Sequence, residues 1–180
     1  SRYITDYIGK FPKDIPAIIV AAGPSLDKNI EELKRAKGKA FIVAVDTAMR
    51  QLIKHDILPD AMVTIDAGKP FEYMDNSALC EIPLFCMLES SHQILEFHRG
   101  LKIWCHGGAF LGHLFERHGK SFVSYNTGGS VATAAFMICV ALQFANVVLI
   151  GQDLAYQGDV THAGGEISHV LNAVSYTHLT

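Results

Sequence analysis

The 180-residue chain is short of several things, and each absence removes a class of protein. It has no excess of basic residues: the formal net charge is −3, so wholesale binding to nucleic acid is disfavoured. No apolar run reaches the ~20 residues of a membrane span. The longest, from Val131 to Ile150, is interrupted by Thr133, Gln143 and Asn146 and changes from helix to strand character. There are four cysteines, Cys80, Cys86, Cys105 and Cys139, and none forms a Cys-x-x-Cys pair. Buried reduced thiols are therefore expected rather than disulfides or a zinc site. The N-terminus lacks a signal-peptide pattern and a starting Met. A cytoplasmic protein is expected, with the chain reading as a piece of a longer one. Neither repeats nor low-complexity tracts stand out. The three-glycine dinucleotide fingerprint and the lysine of a phosphate loop are both missing.

What is present is a core-forming composition. Hydrophobic residues make up 49% of the chain, which suits one folded domain rather than a disordered segment. A short continuous apolar run at 17–22 is followed by mainly apolar runs at 40–45, 61–65, 83–88 and 101–105, with a last one at 147–150. Such runs mark strands buried on both faces. Helical spacing fills the gaps: Leu26, Ile30 and Leu33, then Met49, Leu52 and Ile53, then Ile94, Leu95 and Phe97. The alternation predicts an α/β fold, a mostly parallel sheet with helices on both faces. Residues 1–16 read as a lead-in or linker, 17–172 as the domain, and 173–180 as a tail that fits no element. His55, His92, His98, His113 and His118 are expected at the surface.

The chemistry-bearing residues fall where the predicted strands end. Gly23-Pro24-Ser25 joins a buried strand to a helix start. Glycine lets backbone approach a ligand, proline sets the turn, and exposed amides at a helix N-terminus suit a phosphate. The same residues also serve a plain strand–helix turn with Ser25 or Asp27 as cap. Asn126-Thr127-Gly128-Gly129-Ser130 opens a helix whose first turns carry small or β-branched side chains, again suiting an anion, or else close helix packing with Ser130 as cap.

Asp46, Asp66 and Asp153 each follow an apolar run. Ligands of open parallel sheets bind beyond the carboxyl ends of the strands. Asp46, 23 residues after Gly23, has the spacing of an acid that meets a ribose hydroxyl, or it caps the next helix. Three carboxylates on one edge would alternatively hold Mg²⁺. Gln152 and Tyr156 add hydrogen-bonding groups beside Asp153, and His162 on the following loop is a candidate general base, as Asp153 is.

Several runs together resemble a known family. They are Ala21-Ala22-Gly23-Pro24-Ser25-Leu26, Val45-Asp46-Thr47-Ala48, residues 57–66, Gly128-Gly129-Ser130-Val131-Ala132, residues 151–156 and Thr161-His162-Ala163. In this order they resemble the motility-accessory-factor (Maf) flagellin glycosyltransferases and the related MptE-like pterin pyrophosphokinase domain. The resemblance implies a Rossmann-like, three-layer domain similar to sialyltransferases, whose Gly-x-Gly-Pro-Ser loop holds a cytidine-monophosphate sugar donor. The first glycine of that pattern is Ala21 or Ala22 here. On the Maf side it implies transfer of a nonulosonic, sialic-acid-like sugar to Ser or Thr of flagellin, with no metal or further cofactor. On the MptE side it implies ATP and Mg²⁺ acting on a hydroxymethyl pterin. A non-catalytic nucleotide-binding domain of a larger protein is the third expectation.

Overall fold

The computed structural model describes residues 2–105 and 130–153. Seven strands form one sheet, and every pairing in it is parallel. They are β1 (Arg2–Tyr3), β2 (Ala17–Val20), β3 (Phe41–Val45), β4 (Ala61–Thr64), β5 (Leu84–Cys86), β6 (Lys102–Trp104) and β7 (Val147–Ile150). Four α-helices are described: α1 (Leu26–Ala36), α2 (Met49–Lys54), α3 (His92–Phe97) and α4 (Val131–Ala141). The strand order is β1-β6-β5-β4-β3-β2-β7.

That order explains the layers. From β2 to β6 the chain steps steadily one way across the sheet, so right-handed crossovers put α1, α2 and α3 on one face. The step from β6 to β7 runs back the other way and places α4 on the opposite face, packed against β2, β3, β4 and β7. With both faces covered, every residue of β2, β4 and β5 is buried. This is why these strands read as apolar runs, broken only by the buried Thr64, instead of alternating ones. Leu26, Ile30 and Leu33 are buried on α1, as their spacing requires.

Three features depart from the sequence expectation. The segment read as a lead-in is woven into the fold: β1 pairs with β6 at the far edge, and Ile4 is wholly buried. Phe11 packs with Phe41 and Phe144, ring centroids 4.8 and 4.9 Å away, at the amino end of β3 and the approach to β7. Strand β7 is present but not buried, with Val148 47% and Leu149 44% exposed. It pairs with β2 on one side and with no strand on the other among the described residues. Third, His98 is buried rather than at the surface. It follows the last turn of α3, and its ring turns inward to line a small void with Met62, Met74, Leu79 and Cys80.

All four cysteines are free and buried. Burial pushes the Cys86 and Cys139 thiols up to about 12, which leaves them protonated and unreactive at neutral pH. Among the described residues, no helix is long and apolar enough to cross a membrane.

Candidate functional site

Strand β2 is where the strand order turns. The chain leaves it towards β3, and β7 lies on its other side. In parallel sheets such a change opens a crevice beyond the strand ends. Register places Val20 beside both Ala44 and Ile150, so the residues after β2, β3 and β7 emerge level with one another.

The exits of β2 and β7 are stitched together. The Gly23 amide donates to the Gly151 carbonyl at 2.7 Å, and the Ser25 amide donates to Asp153 Oδ2 at 2.8 Å. Only glycine fits at the two crossing points. A Cβ on Gly23 would run into the Asp153 carboxylate and the Gly151 carbonyl. Gly151 has φ +73°, and a Cβ there would meet the Ala21 carbonyl. The α1 N-terminus therefore already holds an anion, the carboxylate of Asp153. Ser25 stands at the N-cap position without capping by its side chain. Its backbone is helical, with φ −67° and ψ −15°, rather than the extended form that aims a cap oxygen at the first turn.

One and two strands over, at the ends of β3 and β4, sits a second cluster. Asp46 is completely buried. Its Oδ1 accepts from the Thr47 amide at 2.8 Å and its Oδ2 from the Thr64 hydroxyl at 3.0 Å. Lys69 Nζ approaches Oδ1 at 3.3 Å. Burial raises the Asp46 carboxyl above the usual range, and the Lys69 charge and these hydrogen bonds pull it part of the way back. Lys69 lies 5.5 Å from the centre of the Tyr73 ring, which the Arg50 guanidinium also covers at 4.8 Å. Beyond this cluster, Ser90 ties the next two strands: its hydroxyl donates to the Thr64 carbonyl and accepts from the Met87 amide, both at 2.9 Å.

The expected site residues separate into three groups. Gly23, Pro24, Ser25, Gln152 and Asp153 come together at the β2/β7 exit, each partly buried. Asp46 and Asp66 lie on the same edge but face different ways. Asp46 offers no surface to a ribose hydroxyl, because a ligand would have to displace Lys69 to reach it; nor does it cap the next helix, whose N-cap position is Ala48, and its bond to Thr47 is to the adjacent amide. Asp66 is exposed and closes a local turn by accepting from the Gly68 amide at 2.9 Å. Asn126, Thr127, Gly128, Gly129, Tyr156 and His162 lie outside the described residues.

Ser130 is the first described residue before α4 and makes no side-chain cap. The helix ends near the start of β7, and 11 residues at 1.5 Å each carry its N-terminus ~16 Å back towards the carboxyl edge, the edge of Gly23. Sequence reasoning missed Lys69, Thr64, Ser90 and Gly151. Two of them carried a signal: Gly151 as a glycine directly after an apolar run, and Lys69 as a member of the long polar connection from Asp66 to Cys80.

Three acids in sequence did not make a metal site. Asp46 is enclosed by Lys69 and two threonines, and Asp153 Oδ2 accepts from the Ser25 amide. Among the described residues no three His, Cys, Asp or Glu side chains gather as metal ligands. The residues present do not fit a Mg²⁺ ion shared by Asp46, Asp66 and Asp153.

An all-parallel α/β sheet with helices on both faces defines a domain of the Rossmann-like class. The chain belongs to the family described as 6-hydroxymethylpterin diphosphokinase MptE-like, whose model matches residues 2–159. An uncharacterized protein of Treponema pallidum (strain Nichols) is 29% identical over 160 residues, spanning 84% of this chain and 27% of that protein. Among solved structures, the Maf glycosyltransferase from Magnetospirillum magneticum AMB-1 superposes with a TM-score of 0.67 at 22% identity, over 81% of this chain and 24% of its own. This chain thus spans about a quarter of the length of each of these two proteins.

Proposed function

We propose that this domain binds a nucleotide along the carboxyl edge of the sheet and serves an enzyme that transfers a sugar from a nucleotide donor. The single observation carrying this is the β2/β7 crossing, where the Ser25 amide holds an oxyanion at 2.8 Å beside a glycine that leaves no room for a side chain. A site that seats a carboxylate in this way is preorganised for a phosphate oxygen. The likeness to a glycosyltransferase supports the transfer chemistry. In full, the proposal is a nonulosonic sugar moved from a cytidine-monophosphate donor to Ser or Thr of flagellin.

The steps follow from the residues. The donor phosphate takes the Ser25 amide in place of Asp153, with Gly128, Gly129 and Ser130 as a second cradle. The bond between the anomeric carbon and the phosphate oxygen breaks, and its electron pair leaves with cytidine monophosphate. Backbone amides stabilise that leaving charge. The acceptor hydroxyl forms the new bond to the anomeric carbon. Its proton passes to Asp153, released from Ser25, or to His162.

The family description favours one rival, pyrophosphoryl transfer from ATP to a hydroxymethyl pterin. That reaction has to neutralise a triphosphate. Thermal denaturation of the full-length protein separates the two. Stabilisation by cytidine nucleotides without metal, and donor hydrolysis lost in Asp153→Ala or His162→Ala, is the expected result. Stabilisation by ATP with Mg²⁺ and none by cytidine nucleotides would overturn it in favour of the rival. Binding of cytidine nucleotides without turnover would indicate a non-catalytic nucleotide-binding domain.

A further inference from the structure

We propose that Lys69 is the cation that receives the anionic group of the ligand, a phosphate ester or diphosphate, and that Asp46 holds it in position until the ligand arrives. This deepens the nucleotide reading above by naming the group that would recognise the phosphate.

The edge around the crossing is rich in carboxylates: Asp46, Asp66 and Asp153. A phosphate approaching them is repelled unless a positive charge stands nearby. Lys69 supplies one, over the ends of β3 and β4. By register, Asp46 lies level with Ala22, one residue before the Gly23 turn, and strands are about 4.8 Å apart. Lys69 therefore bonds to a residue that leaves the strand next to the one leading to Ser25.

Its surroundings are those of a poised group. Lys69 is 14% exposed, so it is shielded from bulk water yet open at the edge. An ammonium has three donors, and Asp46 engages one of them at 3.3 Å, longer than the ~2.7–2.9 Å of a tight charged hydrogen bond. The Tyr73 ring steadies the charge without consuming a lone pair or a carboxylate. Among the described residues, no acceptor other than Asp46 engages the ammonium, which leaves two donors for ligand oxygens. Asp46, for its part, keeps the Thr47 amide and the Thr64 hydroxyl whether or not Lys69 stays. The carboxylate can therefore give up the lysine without losing every partner.

A purely structural role explains the pair less well. Buried ion pairs rarely stabilise a fold beyond what apolar residues of equal size would achieve. The dominant effect on the Asp46 carboxyl is the cost of burial, which the lysine only partly offsets. A buried charge pair kept at the ligand edge is better accounted for by what Lys69 does for the ligand.

The test compares the full-length protein with Lys69→Met, Lys69→Arg and Asp46→Asn. Binding of cytidine, cytidine monophosphate and inorganic pyrophosphate is measured by calorimetry. Lys69→Met should weaken cytidine monophosphate roughly ten- to hundredfold, the scale of a lost charged hydrogen bond, and leave cytidine unchanged. Lys69→Arg should recover part of the loss, and Asp46→Asn, which frees the lysine, should bind the nucleotide at least as tightly as the parent. Should Lys69→Met fail to fold with Asp46 left uncompensated, the double variant Asp46→Asn/Lys69→Met carries the same comparison.

Unchanged binding of cytidine monophosphate in the lysine-to-methionine protein overturns the role of Lys69 and leaves the nucleotide reading standing. Pyrophosphate binding that depends on Lys69, with no cytidine nucleotide bound by any variant, overturns the nucleotide reading and leaves Lys69 standing. Failure of the parent protein to bind either anion overturns both.

Discussion

An alanine at Gly23 would press its methyl group into the Asp153 carboxylate and the Gly151 carbonyl, two groups that the crossing cannot move apart without breaking its hydrogen bonds. Gly23→Ala should lower unfolding stability by about 1–3 kcal/mol, the usual cost of overpacking, and abolish nucleotide binding. Chemical denaturation with a ligand titration checks both. His98 gives a prediction in pH. Burial, and then the nearby Lys102 charge, hold its pKa below the ordinary 6.5, against the pull of a Leu101 backbone hydrogen bond and Glu81. Below pH 6.5 the unfolded chain takes up a proton that the folded chain resists. Stability should therefore be flat above pH 6.5, fall as pH drops from 6.5 to the depressed folded value, and level off below it. In denaturation curves from pH 8 to 5, His98→Gln should lose that step.

His98 could not be picked out beforehand, and Lys69 only as a member of the long polar connection from Asp66 to Cys80. A histidine after a helix looks the same in sequence whether its ring turns in or out, and Lys69 is one of 15 Lys and Arg residues. Burial at these positions depends on neighbours from distant parts of the chain.

Helix α1 shows how an element can be completed from elsewhere. Its first turn is capped not by Ser25 but by Asp153, 128 residues away. Ser25→Ala should thus leave stability within about 0.5 kcal/mol, whereas Asp153→Ala should cost about 1 kcal/mol, the size of a lost N-cap. Thermal melts of the two variants decide it, and equal effects would mean that the serine contributes after all. At this scale the sequence was most legible. The strands and the main helices lie where the apolar periods placed them, because strands covered on both faces need apolar residues throughout. It was least legible at the sheet edges. Val147-Val148-Leu149-Ile150 has the same composition as a central strand, and β1 is too short to leave a pattern.

For the molecule as a whole, ligand binding is read through global stability. If a cytidine nucleotide binds only the folded form, a hundredfold excess over its Kd adds about 2.7 kcal/mol. That should raise the melting temperature by several degrees for a chain of 180 residues, measurable by scanning fluorimetry. On the sugar-transfer reading, ATP with Mg²⁺ should do less.

The order of apolar runs and turns determined an α/β chain with its glycines and acids at strand ends, since burial on two faces and tight strand–helix turns each restrict residue type locally. Tertiary structure alone decided which strand ends become neighbours. Hence only the fold revealed that Asp153 reaches the Ser25 amide and that Asp46 turns inward to Lys69. A carboxylate's role depends on the charges and amides brought to it through space, and those come from residues far apart in the chain.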